Sequence, residues 1–122
     1  MDDLQMLAGV WTCVSGINDG KPLPGDIVKQ LKLTLTQERY KTEKGNVLLF
    51  DGIYKIDAGQ QPRHIDITAP EGEQAGQTSK GIYALEQDTL KMCYTIPDQD
   101  RPTDFESKPG SGATLVIWKR TR

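Results

Sequence analysis

The sequence predicts an all-β protein: a small, eight-stranded, antiparallel up-and-down barrel with one short helix, formed as a single domain over residues 1–122. Runs of alternating apolar and polar residues recur along the chain, with turn-forming residues between them. Most connections between the runs are short, which is typical of sequential hairpins. An antiparallel sandwich also fits this pattern, but closing the meander into a barrel removes its exposed edge strands.

The first predicted strand begins at residue 9, and its alternation places Trp11, Cys13 and Ser15 on one face. The stretch PGDIVKQL then provides the short helix, which is about two turns long and needs packing to form. In the fourth strand Gly52 is predicted to mark a bulge or bend, as glycine within a strand commonly does. The eight predicted strands cover residues 9–17, 31–36, 39–43, 47–56, 64–68, 81–85, 89–96 and 113–120.

Charge and hydropathy exclude several classes of partner. The net charge of −2 and the pI near 5.3 provide no basic surface for nucleic acid or for an anionic membrane, so neither is predicted. No apolar run reaches the length of a membrane span. The first ten residues lack the layout of a secretion signal, so the chain as written is predicted to be cytoplasmic, or exported if Met1 replaces a removed signal.

The two cysteines, Cys13 and Cys93, predict neither a zinc site nor a redox motif, because neither belongs to a C-x-x-C pair. In a sequential barrel their strands are two apart, about 9–10 Å across the sheet. A disulfide needs Cα atoms within about 7 Å. Free thiols are therefore expected, with a disulfide as the alternative.

The acidic stretch 98–106 does not match a calcium-binding loop. Thr103 and Pro109 stand where that loop needs glycine and glutamate. A solvated loop is expected instead, in which Arg101 pairs with the neighbouring carboxylates. No metal and no cofactor are predicted.

The single histidine, His64, does not predict a catalytic site. His64 shares a face with Asp66 and Thr68, and this face is predicted to be the solvent side of a half-buried strand. A His–Asp acid–base pair is the alternative, but it needs a nucleophile or a substrate beside it. No catalytic residue is predicted.

The closing seam of the barrel is indicated by its first and last strands. Gly9 and Trp11 open the first strand, and Lys119 and Arg120 end the last. This pattern resembles the closure of lipocalin-type barrels, in which the glycine allows a close approach of the chain and the tryptophan fills the barrel floor. A cationic side chain, Lys119 or Arg120, covers the indole ring.

Three segments carry a resemblance to a known family. GVWTCVSGINDGKPLP, GIYALEQDTLKMCY and RPTDFESKPGSGATLVIWKR are similar to the lipocalin-like domain family of planctomycete-type bacteria, and the similarity covers roughly residues 4–120. The resemblance implies a small lipocalin-like barrel. It implies no catalytic residue, because the family has no assigned activity.

An eight-stranded barrel either fills itself or holds one small ligand. The leading hypothesis is a non-enzymatic barrel that binds a small apolar or amphipathic molecule. The second is an interaction or structural module with a filled core that acts through its surface and the 97–112 loop; the third is a cofactor-free cyclase or isomerase. The sequence does not indicate which protein, if any, is a partner. The inward-facing residues predicted to line the ligand site are Leu33, Leu35, Tyr54, Ile56, Tyr83, Leu85, Met92 and Tyr94.

Overall fold

The computed structural model describes residues 3–69, 76–97 and 99–121. In these residues eight antiparallel strands close into a barrel, which confirms the predicted fold class. The strands follow the order β1-β3-β4-β5-β6-β7-β8-β9, β9 pairs back to β1, and the two-residue β2 pairs with the far end of β1. The elements are α1 (Asp3–Leu7), β1 (Gly9–Asn18), β2 (Lys21–Pro22), α2 (Gly25–Val28), β3 (Leu31–Leu35), β4 (Arg39–Lys44), β5 (Val47–Asp57), β6 (Arg63–Thr68), β7 (Thr78–Glu86), β8 (Thr89–Thr95) and β9 (Ala113–Arg120).

The alternation read from the sequence matches the burial of most strands. In β6, for example, Ile65 and Ile67 are buried while their neighbours are partly exposed. β8 departs from this rule, because Cys93 and Thr95 on its outer face are buried as well as Met92 on its inner face. Residues 99–112 cause this difference, since Cys93 Sγ donates to the Glu106 carbonyl at 3.4 Å and Thr95 Oγ1 to the Asp100 carbonyl at 3.2 Å.

A β-bulge changes which residues of β1 face the interior. Cys13 pairs with Trp118 and Ser15 with Ile117, so Val14 is the extra residue. The prediction that Ser15 shares a face with Trp11 and Cys13 is therefore wrong, because the extra residue shifts the alternation by one position. Ser15 is exposed.

The predicted irregularity in β5 lies at a different residue. Thr42 pairs with Phe50 and Glu43 with Leu48, which places the bulge at Leu49 rather than at Gly52. Gly52 pairs regularly with Tyr40. A Cβ at Gly52 would lie 2.5 Å from the carbonyl oxygen of Thr68, so the close approach of β6 explains the glycine.

Two separate apolar clusters form on the two sides of the barrel wall. The smaller cluster lies outside, where Phe105 and Leu115 pack against three buried residues, Ile82, Cys93 and Ala113. The larger cluster fills the barrel. Its buried members are Leu7, Trp11, Leu33, Leu35, Tyr40, Tyr54, Ile65, Ile67, Tyr83, Leu90, Met92, Val116 and Trp118.

The connections define two ends of the barrel. At one end, here called the floor, lie α1 and the turns at residues 36–38, 58–62 and 87–88. At the other, here called the loop end, lie α2, the β4–β5 turn, the end of β6, the start of β7, the end of β8 and the start of β9. Each strand of the barrel runs from one of these ends to the other, so its inward-facing side chains lie at different heights between them.

The sequence predicted one helix, whereas the described residues contain two. α1 has only five residues, too few to form a stable helix alone. Its last residue, Leu7, is fully buried in the larger cluster, so packing rather than local propensity stabilises it. Within the described residues, no helix has both the length and the apolar character to cross a membrane.

Candidate functional site

The floor is closed by Trp11 and Arg120. Trp11 is fully buried, and its Nε1 donates a hydrogen bond to the Leu7 carbonyl at 2.9 Å. Arg120 Cζ lies 4.3 Å from the centre of the Trp11 ring, within cation–π reach. Gly9 makes room for this contact, because its φ is +140° and an added Cβ would lie 3.1 Å from Arg120 Nη1.

Arg120 also fixes the helix at the floor. Its guanidinium donates to the carbonyl of Ala8 at 3.2 Å and to that of Met6, and its Nε lies 3.6 Å from Asp88. Lys119, the other residue predicted for the Trp11 contact, is exposed. Alternation along β9 places its side chain on the outer face, so Arg120 alone of the two covers the ring.

Asp3 ties α1 to the barrel wall. The Tyr83 hydroxyl donates to Asp3 Oδ2 at 2.6 Å, and Arg63 Nη1 lies 3.2 Å from the same oxygen. Burial, together with the hydrogen bond and the charge of Asp3, raises the pKa of Tyr83. Tyr83 was predicted to line a ligand site, but its hydroxyl is engaged within the floor.

Tyr54 is engaged in a similar way. Its hydroxyl donates to the Thr36 carbonyl at 2.6 Å, which ties β5 to the β3–β4 turn. Burial raises the pKa of Tyr54 to about 12. The floor therefore uses the hydroxyls of two tyrosines for internal hydrogen bonds.

The eight residues predicted to line a ligand site all belong to the larger cluster or pack against it. Leu33, Leu35 and Met92 are buried within it, as are the two tyrosines of the floor. The remaining three are partly exposed: Ile56, Leu85 and Tyr94. The eight predicted residues therefore form two groups: five are packed within the core, and three keep surface that is accessible to solvent.

At the loop end, inward-facing apolar side chains are only half-buried. Leu31 on β3, Phe50 on β5 and Tyr94 on β8 pack against the larger cluster from different parts of the wall, yet each keeps exposed surface. The Tyr40 ring lies between this group and the floor, edge-on to Phe50 with ring centres 5.9 Å apart. We call Leu31, Phe50 and Tyr94 the loop-end interior, together with Cys13, the partly exposed residue in the middle of β1 that lies near Tyr94.

The polar groups of this region are uncharged donors. Burial, and then the neighbouring thiols of Cys13 and Cys93, raise the pKa of Tyr94 to about 12. Burial, and then Tyr94, also raise the pKa of Tyr40 well above its usual value. Burial raises the pKa of Cys13, although its hydrogen bond to the Ser15 carbonyl acts in the opposite direction. These hydroxyl and thiol groups remain protonated at neutral pH.

Trp118 lies beside this group, because it pairs with Cys13 across the seam. Its Nε1 is buried and has no hydrogen-bond partner among the residues that the structure describes. Sequence reasoning missed Trp118, Cys13 and Tyr40 as candidate site residues. The alternation of β9 contained a usable signal, since Trp118 and Val116 share the inward face.

The thiols themselves are free, as predicted. Cys13 lies on the inner side of the wall and Cys93 on the outer side, in the smaller cluster. Among the residues described, no group of three or more His, Cys, Asp or Glu side chains could hold a metal ion.

On the outer face, the β8–β9 loop is fastened to the barrel wall. Arg101 Nη2 lies 2.7 Å from Asp66 Oδ1, and Nη1 donates to the Gly81 carbonyl at 2.8 Å. The expectation that Arg101 pairs with carboxylates of its own loop is wrong, because the loop folds back over β6 and β7. The Asp66 carboxylate thus has Arg101 as its partner, and His64 beside it is half-buried. Asp98, the first residue of the acidic stretch, lies outside the described residues.

The described surface also contains open grooves outside the barrel. One of ≈ 520 Å³ lies at the rim of the floor between Pro62, Arg63, Glu86 and Phe105. Another of ≈ 330 Å³ lies within the β8–β9 loop. Comparison of the chain with protein-family models, with curated proteins and with solved structures gave no match.

Proposed function

We propose that this protein is a non-enzymatic, lipocalin-like barrel that binds one small apolar or amphipathic molecule in its loop-end interior. The observation that carries the proposal is the partial exposure of Leu31, Phe50 and Tyr94, which face inward and pack on the core. An inward-facing apolar side chain gains stability when a ligand removes its remaining surface from water, about 25 cal/mol per Å². The resemblance of three segments to lipocalin-like domains supports the barrel fold that such a site requires.

The chemistry of the site favours an amphipathic ligand. Apolar surface is provided by Leu31 and Phe50, and uncharged donors by Tyr94 and Cys13. A molecule with an apolar body and one hydrogen-bonding group matches such a wall. The packed residues Leu33, Leu35 and Met92 then form the base of the site rather than its sides.

Binding without catalysis is favoured over the cyclase or isomerase alternative. A catalytic acid or base works best with a pKa near the operating pH. The pKa of Tyr94 is instead raised to about 12, so its hydroxyl is a hydrogen-bond donor rather than a base. Burial shifts the Cys13 pKa upward as well, which makes its thiol a weak nucleophile.

The interaction-module alternative receives less support from the 97–112 loop. The loop side chains with the strongest contacts point at the barrel rather than at solvent. Arg101 pairs with Asp66, Phe105 packs on the smaller cluster, and Ser107 donates to the Ala113 carbonyl at 2.7 Å. These contacts are those of a loop that covers a wall.

Titration with a neutral, polarity-sensitive fluorescent dye tests the proposal. We expect the wild type to bind the dye at low micromolar concentration, about −8 kcal/mol. Cys13→Trp fills the loop-end interior and should abolish binding. Val14→Trp is the matched control, because Val14 is the neighbouring bulge residue and is 54% exposed. Absence of dye binding by the folded wild type, or equal binding by both variants, would contradict the proposal.

A further inference from the structure

The β4–β5 hairpin ends in three consecutive exposed aliphatic residues. Val47, Leu48 and Leu49 are 58%, 55% and 52% exposed, respectively. The bulge at Leu49 shifts the alternation, so Leu48 pairs with Glu43 on the outer face of β4 and Val47 pairs with Lys44, the last residue of that strand. We call these three residues the hairpin tip.

The hairpin tip extends past the neighbouring strand. β5 pairs with β6 from Ile53 onward, where Ile53 faces Thr68, the last residue of β6. The part of β5 before Ile53 pairs with β4. The tip therefore projects at the loop end, on one side of the barrel.

Basic side chains surround the hairpin tip. Residues 26–51, from α2 into β5, contain five basic and four acidic side chains, a net charge of +1, whereas the whole chain has a net charge of −2. Lys44 pairs directly with Val47. Lys32 and Lys41 lie 3.7 and 3.8 Å from Glu43, so this one carboxylate faces two ammonium groups.

Lys29 belongs to the same basic surface. The residue after it, Gln30, accepts a hydrogen bond from the backbone N–H of Gly45 at 3.0 Å, which holds the end of α2 against the β4–β5 turn. Lys29 itself is exposed. The tip therefore has ammonium groups both directly after α2 and on the hairpin.

The loop on the opposite side of the barrel is acidic: residues 96–112 contain four acidic and two basic side chains, a net charge of −2. The β8–β9 loop carries exposed Asp100, Asp104 and Glu106, and β8 and β9 lie across the barrel from β4 and β5 in the strand order. The expectation that no membrane is a partner depended on the charge of the whole chain. The uneven distribution of that charge is visible only in the fold.

We infer that the hairpin tip docks on the surface of an anionic phospholipid bilayer. Exposed aliphatic side chains ringed by lysines suit the interface, where the apolar groups enter the acyl boundary and the ammonium groups meet the anionic headgroups. A second copy of this chain fits less well, because two tips in contact would bring two lysine clusters together. Docking would also turn the loop end of the barrel toward the lipid.

Vesicle flotation tests the inference. We expect the wild type to float with vesicles of phosphatidylcholine and phosphatidylglycerol, at least tenfold more tightly than with phosphatidylcholine alone. The double variant Leu48→Glu/Leu49→Glu should lose at least tenfold in affinity. Lys29→Glu/Lys44→Glu should lose the preference for the anionic vesicles. Ile96→Glu is the matched control, because Ile96 is 56% exposed at the loop end but lies in the β8–β9 loop.

Two results would overturn the inference. One is equal flotation of the wild type and the Leu48→Glu/Leu49→Glu variant, with circular dichroism showing that both are folded. The other is a wild-type dimer in light scattering that this variant dissociates, which would make a second copy the occupant. Dye binding in solution is a separate readout: a variant that still binds dye but no longer floats supports docking without bearing on the barrel interior.

Discussion

The floor and the loop end of the barrel use similar residues in different ways. At the floor, Trp11 is fully buried and the Tyr83 hydroxyl is bound to a carboxylate of α1. At the loop end, Phe50 and Tyr94 also face inward, but they are only half-buried. The floor has the packing of a protein core, whereas the loop end keeps an accessible apolar wall.

Under the proposed function, this difference places the residues that stabilise the fold at the floor and those that bind a ligand at the loop end. A side chain that is fully packed contributes to the free energy of unfolding but has no surface left for a ligand. A half-buried inward side chain contributes less to the free energy of unfolding, but its exposed surface can contact a ligand. Substitutions at the two ends should therefore have different consequences.

The largest effect is expected from Trp11→Ala. Removal of a large, fully buried aromatic side chain should lower the free energy of unfolding by about 3–5 kcal/mol. Phe50→Ala is the counterpart at the loop end, and its loss should be smaller because Phe50 is already partly exposed. Urea titrations compare the two. A loss below about 1 kcal/mol for Trp11→Ala would show that the floor does not stabilise the fold.

A smaller effect is expected when only hydroxyl groups are removed. Tyr83→Phe removes a hydrogen bond to the Asp3 carboxylate and should lower the free energy of unfolding by about 1.5–3 kcal/mol. Tyr94→Phe should change stability much less but weaken dye binding. If the two variants lose the same free energy of unfolding, the proposed difference between the floor and the loop end is contradicted.

High pH should destabilise the protein through all four tyrosines. Burial raises the pKa of Tyr40, Tyr54, Tyr83 and Tyr94 above the ordinary value of 10.0. Above pH 10 the unfolded chain loses phenolic protons that the folded chain still holds. The free energy of unfolding must therefore decrease as the pH rises from about 10 towards 12.

Ultraviolet absorbance of the phenolate measures this directly. We expect little ionisation of the folded protein near pH 10 and a steep, cooperative rise on unfolding at higher pH. If one tyrosine titrates near pH 10 in the folded protein, its hydroxyl group is exposed to water. Tyr94→Phe would then show whether that tyrosine belongs to the loop end.

Sequence periodicity predicted the strands well, because inward-facing residues such as Leu33 and Leu35 alternate with polar ones on a half-buried strand. It failed where a bulge changes the alternation, at Val14 and at Leu49, since a bulge depends on the pairing of two strands. It also missed α1, whose stability comes from packing of Leu7.

The candidate site was harder to predict than the fold. Alternation indicates which side chains face inward, but not at which height of the barrel the core stops filling the interior. Tyr83 and Tyr94 were therefore predicted to have the same role, although one is bound to Asp3 and the other is half-buried. The partner of Arg101 was missed for a related reason, since the path of a long loop across the wall is not encoded in local patterns.

The most direct test of the two-ended account is a two-dimensional ¹H–¹⁵N spectrum recorded with and without the neutral dye. The chain has two tryptophans, so two indole N–H signals are expected, and Trp118→Phe assigns them. Trp118 pairs with Cys13 of the loop-end interior and lies two residues before Arg120 on β9, whereas Trp11 is hydrogen-bonded to Leu7 in the floor. Saturating dye should shift the Trp118 signal and leave that of Trp11 in place. A shift of the Trp11 signal alone, or no shift of either while the dye is bound, would contradict the account.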